Sequence, residues 1–257
     1  MTAIEAIYRY PVKSLSPEAV ERTTLSSGEG LPLDRAFALA HGSTDFDPTH
    51  PRHLSKRKFL NLMQNEKLAT LTTRFDEASR ELTIVRDGKQ VARGQVDQPV
   101  GRRLIEQFFA AYMVDAVRGS PRLVQAPGHS FSDVPIKCLS LINLASVRDL
   151  ERIAGAAIDP LRFRGNLYIN AGAPWVEFDW CGREIVISGD EGPVQLQGLD
   201  RIERCAAIDV DPATGTRDLH LPKALQRGYG HVDMGIYAKV VTGGAVAVGN
   251  EITISTD

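Results

Sequence analysis

Cysteine is scarce: the 257 residues hold only Cys138, Cys181 and Cys205. Three thiols, odd in number and far apart, make no disulfide framework and fit a reducing compartment. No Cys-x-x-Cys pair offers a zinc site, and no cysteine grouping suits an iron–sulfur cluster. His50 and His53 are three apart, but Pro51 between them argues against a metal pair on one helix face. The Gly-x-x-x-x-Gly-Lys-Ser/Thr loop and a Gly-x-Gly-x-x-Gly after a strand are both absent, which excludes the common nucleotide cradles. No Gly-x-Ser-x-Gly elbow supports a serine triad. With 30 Lys and Arg against 32 Asp and Glu, and no basic block, nothing draws the chain to nucleic acid or to a membrane surface. No apolar run approaches bilayer length, and Met1–Ala6 lack the basic-then-apolar pattern of a secretory leader. The expected compartment is the cytoplasm, without nucleic-acid or membrane partners.

Composition is that of a folded protein, 43% hydrophobic and 24% charged, and the length suits one large or two modest domains. Short runs rich in β-branched residues, several alternating apolar with polar, read as half-buried strands: Ala3–Val12, Leu68–Arg74, Glu81–Val85, Asn166–Asn170, Glu184–Ser188, Ile236–Val241 and Glu251–Ser255. Asp87-Gly88 and Gly243-Gly244 predict hairpin turns. Two segments predict helices. Val100–Val114 carries a stripe of Leu104, Ile105, Phe108, Phe109 and Tyr112, and Asn143–Ile153 carries Leu144, Val147 and Leu150 with Asn143 as N-cap. The expected fold is mainly β with a few helices (α+β). A Gly, Pro and Ser cluster over Gly119–His129 suggests a boundary that divides the chain into 1–120 and 121–257. Gly42–Lys58, a long polar stretch between strand-like regions, suits either a functional lid or a mobile surface loop.

The most informative stretch runs Ile202-Glu203-Arg204-Cys205-Ala206-Ala207-Ile208-Asp209-Val210-Asp211-Pro212-Ala213-Thr214-Gly215. An apolar approach reaches one cysteine beside an arginine, then an Asp-Pro-x-x-Gly turn. If the Arg204 charge points inward, it favours thiolate over thiol and prepares the sulfur for a soft metal. A lone cysteine serves equally well as an inert small hydrophobe, and composition leaves both readings open.

The Arg-Cys…Val-Asp-Pro-x-Thr-Gly pattern resembles the cysteine motif of the MOSC (molybdenum cofactor sulfurase C-terminal) proteins. Three further segments agree in order. Tyr10-Pro11-Val12-Lys13-Ser14 with Gly30-Leu31-Pro32-Leu33-Asp34-Arg35 resembles the N-terminal β-barrel domain that precedes MOSC domains. Phe163-Arg164-Gly165-Asn166-Leu167-Tyr168 resembles the family's Phe-Arg-x-Asn strand, and Gly235-Ile236-Tyr237 with Val248-Gly249-Asn250-Glu251 resembles its closing strands. The resemblance implies a β-barrel N-terminal domain over 1–120, a MOSC β-barrel domain over 121–257, and a mononuclear molybdenum–molybdopterin cofactor. It also implies that Cys205 is the protein's ligand to molybdenum and the catalytic residue, with Lys13, Ser14, Arg35, Arg164, Asn166 and Arg204 in contact with the cofactor. Three cations from distant regions of the chain, Lys13, Arg35 and Arg164, suit its phosphate. If Arg164 and Asn166 lie two apart in an extended segment, both side chains leave one face of the sheet. Family members also contact the cofactor just before the first strand of the MOSC domain, near Ser132-Asp133-Val134-Pro135 here, but the local spacing toward Ser146 differs and no contact is assigned there. Glu203 stands where the mitochondrial relatives have a small hydroxyl residue.

The activity implied by the resemblance is reduction of a small N-hydroxylated or N-oxide substrate by oxygen-atom transfer. Electrons come from a separate donor such as a ferredoxin, flavoprotein or small cytochrome. Glu203, Asp209 and His231 are candidates for the proton donor, by nearness to the motif or by titration range. Two rivals stand beside this reading: a cysteine-based sulfur carrier or transferase without molybdenum, and a non-catalytic molybdopterin carrier.

Overall fold

The computed structural model describes residues 2–255. The first half contains β1 (Thr2–Arg9), β2 (Glu18–Val20), β3 (Arg22–Leu25), β4 (Ala38–Ala40), β5 (Leu71–Asp76), β6 (Glu81–Arg86), β7 (Lys89–Gln95) and α1 (Pro99–Tyr112). The second contains β8 (Arg122–Val124), β9 (Leu139–Asn143), α2 (Leu144–Ala154), β10 (Leu167–Asn170), β11 (Glu184–Gly189) and β12 (Gly192–Glu203). It ends with α3 (Leu221–Tyr229), β13 (Asp233–Thr242), β14 (Gly244–Ala247) and β15 (Glu251–Ile254). No helix among the described residues is long and apolar enough to cross a membrane.

Seven strands close into a barrel in the order β10-β9-β13-β12-β11-β15-β1, with β1 pairing back onto β10 and β2 appended to β1. Closure leaves these strands no free edge. Alternation explains the filling. Ile185 and Ile187 of β11, Val194 and Leu196 of β12, and Ile4 and Ile7 of β1 point inward and pack with Leu141, Ile169 and Ile236. Ile142 and Tyr168, next to Leu141 and Ile169, point outward and, with Met234, cover the outside of the barrel and bury Val147 and Leu150 of α2 and Leu221 and Leu225 of α3. Strand β9, Leu-Ser-Leu-Ile-Asn, is therefore buried along its whole length, and its polar Ser140 and Asn143 are hydrogen-bonded inside the protein.

A second core fills the first half. The antiparallel sheet β5-β6-β7 packs against α1 through Phe75, Leu82, Ile84, Ile105 and Phe109, beside the β4–β8 pair. A Cβ on Gly94 of β7 would lie 2.3 Å from the Gly101 carbonyl of α1, so strand and helix approach as closely as they do only because both residues are glycine. The boundary near residue 120 does not separate self-contained bodies: β1 and β2 belong to the second half's barrel, and β3 pairs with β14.

Several local expectations meet their structures here. Asp87 and Gly88, both at positive φ, turn β6 into β7, and the Asn143 side chain caps α2 by accepting from the Ala145 amide at 3.1 Å. Gly243-Gly244 makes no hairpin between its neighbours, because β14 leaves β13 to pair with β3. On α1 the buried stripe is Gly101, Ile105, Phe109 and Tyr112, and Leu104 stays half-exposed. Helix α3 is not among the helices predicted from periodicity, although Pro222 in its first turn and Gly230 at its left-handed end mark both boundaries.

Candidate functional site

The stretch after β1 is held by backbone bonds that position its side chains. Lys13 N donates to the Phe37 carbonyl at 2.8 Å, and Arg35 N donates to the Tyr10 carbonyl at 2.7 Å, so Lys13 and Arg35 sit side by side. Ser14 and Arg35 both adopt left-handed backbone, at φ of 66° and 54°. Such conformations are costly for side chains with a Cβ and persist where surrounding contacts impose them. Ser14 therefore lies in a turn rather than at a strand end, with Oγ accepting from the Leu62 amide at 3.4 Å.

The second half answers across the interface. Arg164 is not in an extended segment: at φ 51° it ends the 3-10 turn Pro160–Phe163, and β10 begins only at Leu167. The Arg164 and Asn166 side chains therefore diverge, contrary to the shared face expected from their spacing. The Arg164 guanidinium stacks over the Tyr10 ring at 4.1 Å, and Nη1 donates to the Leu15 carbonyl at 2.8 Å. Its Nη2 is buried without a hydrogen-bond partner among the described residues. Arg35 flanks the same ring at 5.0 Å, pairs with Asp34 and donates to the Arg164 carbonyl at 3.0 Å. Tyr10 is the joint on which two arginines from opposite halves converge.

Asn166 is occupied inside the protein. Its Oδ1 accepts from the Ser140 amide and hydroxyl at 3.1 and 3.0 Å, and its Nδ2 donates to the Tyr8 carbonyl at 3.2 Å. Arg204 is engaged likewise: Nε and Nη2 donate to the Met234 carbonyl at 2.9 and 2.6 Å, and Nη1 donates to Phe163 at 2.8 Å. Both residues brace the wall. The cation at the cysteine is a different one.

Cys205 precedes the 3-10 turn Ala206–Asp209 and is partly exposed. Lys56 Nζ donates to its Sγ at 3.3 Å. Lys56 comes from the polar stretch Gly42–Lys58, so that stretch does reach the site. Asp133 ion-pairs with Lys13 and lies 3.6 Å from Lys56, which places Ser132–Pro135, the segment left unassigned from the sequence, on the cleft wall. The turn after the cysteine is clamped. Asp211 Oδ1 accepts from the Ala213 and Thr214 amides at 2.8 Å, and buried Arg162 ties Asp211 at 3.1 Å to Asp218 at 2.7 Å.

All seven residues singled out from the sequence line one cleft of about 920 Å³, together with Tyr237, Ser140, Lys56, Asp133, Arg162 and Cys138. Burial lowers the Arg164 guanidinium to about 10 and lowers Lys13, although Asp133 opposes the latter shift. Burial alone would raise Asp133, but Lys13 and Lys56 hold its carboxyl well below the usual range. The second thiol on the wall, Cys138, is pushed up to about 12 by burial, which makes it a poor nucleophile and ligand. Of the suggested proton donors, only Glu203 lines the cleft. Asp209 caps α3 by accepting from the Leu221 amide at 2.8 Å, and His231 packs among Trp175, Phe178 and Tyr229.

Comparison with known families matches residues 1–114 to the "MOSC N-terminal beta barrel domain" and residues 128–253 to the "MOSC domain". The chain belongs to the MOSC family. None of the curated proteins compared with it matches. Among solved structures, the YuaD protein from Bacillus subtilis is 14% identical, with 99% of this chain and 96% of that one covered at a TM-score of 0.44. YiiM from Geobacillus stearothermophilus is 19% identical, over 46% of this chain and 53% of that one at a TM-score of 0.35. The MOSC domain is associated with molybdopterin cofactor binding. The cleft of this MOSC protein fits such a group: it is large, lined with cations and amide-compatible polar atoms, and holds a buried guanidinium nitrogen that lacks a partner among the described residues.

Proposed function

We propose that this MOSC protein is a molybdenum-cofactor-dependent oxidoreductase that removes oxygen from small N-hydroxylated or N-oxide substrates. One observation carries the reading: Cys205 Sγ opens into the same chamber as Lys13, Arg35 and Arg164, drawn from both halves of the chain. When bound, the cofactor supplies two-electron oxygen-atom transfer at molybdenum, and Cys205 is the residue that would hold the metal. Arg164, with its unpartnered Nη2, would bind the anionic end of the cofactor, helped by Arg35 and Lys13. The Asp34–Arg35 pair and the Tyr10 ring fix the guanidinium planes before any ligand arrives. Arg162 and Asp211 hold the turn that carries the sulfur. Glu203, which lines the cleft, would be the group to supply a proton to the substrate. Electrons would come from a separate ferredoxin, flavoprotein or small cytochrome, in the cytoplasm.

The Lys56–Cys205 contact also favours a second reading, a sulfur carrier in which the ammonium steadies a persulfide on Cys205. Turnover separates the two. Benzamidoxime should be reduced with reduced methyl viologen as electron donor, and Cys205→Ala should abolish the activity while the fold survives. Retained turnover in Cys205→Ala would sink the ligand assignment. A labile sulfane sulfur on Cys205 without turnover would favour the carrier.

A further inference from the structure

Several cations on the cleft wall are neutralised or engaged, and Arg164, whose Nη2 lacks a partner among the described residues, is buried against the Tyr10 ring. Arg35 pairs with Asp34, Arg162 pairs with Asp211 and Asp218, and Arg204 donates only to carbonyls. Lys13 is 6% exposed and lies between the Phe131 carbonyl and Asp133. Lys56 differs. Its ion-pair partner among the described residues, Asp133, is 3.6 Å away and is shared with Lys13, which sits closer to it. One carboxylate thus serves two ammonium groups, and a unit of positive charge stays uncompensated. The Lys56 side chain is 30% exposed, so that charge faces the chamber, 3.3 Å from Cys205 Sγ. Its backbone is fixed: Lys56 opens the 3-10 turn Lys56–Lys58, Ser55 Oγ accepts from the Arg57 amide at 3.4 Å, and Asn61 Nδ2 donates to the Lys56 carbonyl at 3.1 Å.

We infer that Lys56 is the substrate-side cation of this cleft, binding a ligand oxygen that carries negative charge, such as the oxygen of an N–O dipole or a small oxyanion, beside Cys205. An ammonium has three donors. One points to the sulfur and one toward Asp133, which leaves the third for a ligand. In a partly dehydrated chamber an uncompensated point charge attracts anions far more strongly than it does in bulk water. The inference rests on the cleft being the reaction site, as proposed above, and does not require that the metal be molybdenum.

The test uses the full chain from a host that makes no molybdenum cofactor. Cys205 is alkylated at one pH with anionic iodoacetate and with neutral iodoacetamide, and modification is quantified by peptide mass spectrometry. The ratio of the two rates cancels the thiol's own reactivity and reports the local potential. Relative to 2-mercaptoethanol, the iodoacetate preference at Cys205 should be about fivefold higher and should fall as salt is raised. Lys56→Gln should lower it about threefold or more, while Lys56→Arg should retain it, with circular dichroism confirming that both variants fold. Equal ratios in the parent and Lys56→Gln overturn the inference. So does failure of both reagents to reach Cys205, because sulfur and ammonium must share an open chamber. No metal enters this assay, so a ratio that falls in Lys56→Gln, with no molybdenum found in protein from a host that does supply the cofactor, would leave Lys56 in place and remove the reductase reading; the converse pair of results would do the opposite.

Discussion

Asp133→Asn is the perturbation whose effect the structure defines best. Lys13 is buried, and its ammonium rests on the Phe131 carbonyl at 2.8 Å and on the Asp133 carboxylate. Removing one partner of a fully buried ion pair costs about 3–5 kcal/mol, because the other charge stays behind uncompensated. Asp133 is 48% exposed, so water already screens some of the interaction, and the expected loss falls to about 2 kcal/mol. For a chain of this length that corresponds to a drop of about 4–8 °C in melting midpoint. Thermal and urea unfolding at pH 7, followed by circular dichroism, measure it. The pH dependence has a definite sign. The folded carboxyl titrates below its unfolded value, so its stabilisation is present above about pH 4 and is lost as pH falls through the folded value. The difference between parent and variant should therefore narrow in acid. In a Lys13→Met background the same substitution should cost about 1 kcal/mol or less, since the buried Lys13 charge is gone and only the partly exposed Lys56 loses its partner. A midpoint unchanged within about 1 °C, or an equal loss in both backgrounds, would refute the pairing.

Arg164→Ala should lower molybdenum content per chain by about tenfold and leave turnover per bound metal nearly unchanged, as expected for a residue that binds rather than reacts; the reverse pattern would place Arg164 in the chemistry. Glu177 is fully buried, with Asn143 and Ser146 donating to it, and burial raises its carboxyl. An acid raised in the folded state loses stability as pH climbs from about 4.3 through the folded value, so Glu177→Gln should gain on the parent in urea midpoint between pH 4 and pH 7. Parallel curves would contradict that. Gly235 has φ 74°, and a Cβ there would meet the Leu141 carbonyl at 2.3 Å, so Gly235→Ala should cost about 3 kcal/mol, read as a lowered melting midpoint. An unchanged midpoint would show that the β9–β13 ladder yields more readily than its geometry suggests.

What the sequence conveyed depended on whether a local rule could express it. Hairpin chemistry at Asp87-Gly88, the Asn143 cap and the alternating strands β6 and β11 are local, and each stands where its pattern put it, whereas the strand expected over Leu68–Arg74 begins only at Leu71 because Glu66–Thr70 form a 3-10 turn. Strand β9 and helix α3 were harder to see. Strand β9 is five residues long and mixes buried polar with buried apolar side chains, and α3 is only nine residues long. Barrel closure by β1 joins residues more than 150 positions apart, such as Ile7 and Leu167, and no periodicity conveys that pairing. The site divides in the same way. The seven residues that the resemblance names, Lys13, Ser14, Arg35, Arg164, Asn166, Arg204 and Cys205, all line one cleft. Sequence spacing then misjudged their directions, because Arg164 is left-handed, Asn166 satisfies Ser140 and Tyr8, and Arg204 turns to carbonyls. Lys56 and Asp133 lie in segments that the sequence flags, but neither is singled out there, because a lysine and an aspartate in polar loops look like ordinary solvated charges. Only the three-dimensional path of the chain brings them to the sulfur.

Elemental analysis of freshly purified protein bears most directly on Cys205 as a metal ligand. Expressed in a host that supplies the cofactor, the parent chain should carry about one molybdenum atom, and Cys205→Ala should carry almost none while Cys138→Ala keeps its full complement. Full metal content in the Cys205 variant, or none in the parent, would contradict the assignment.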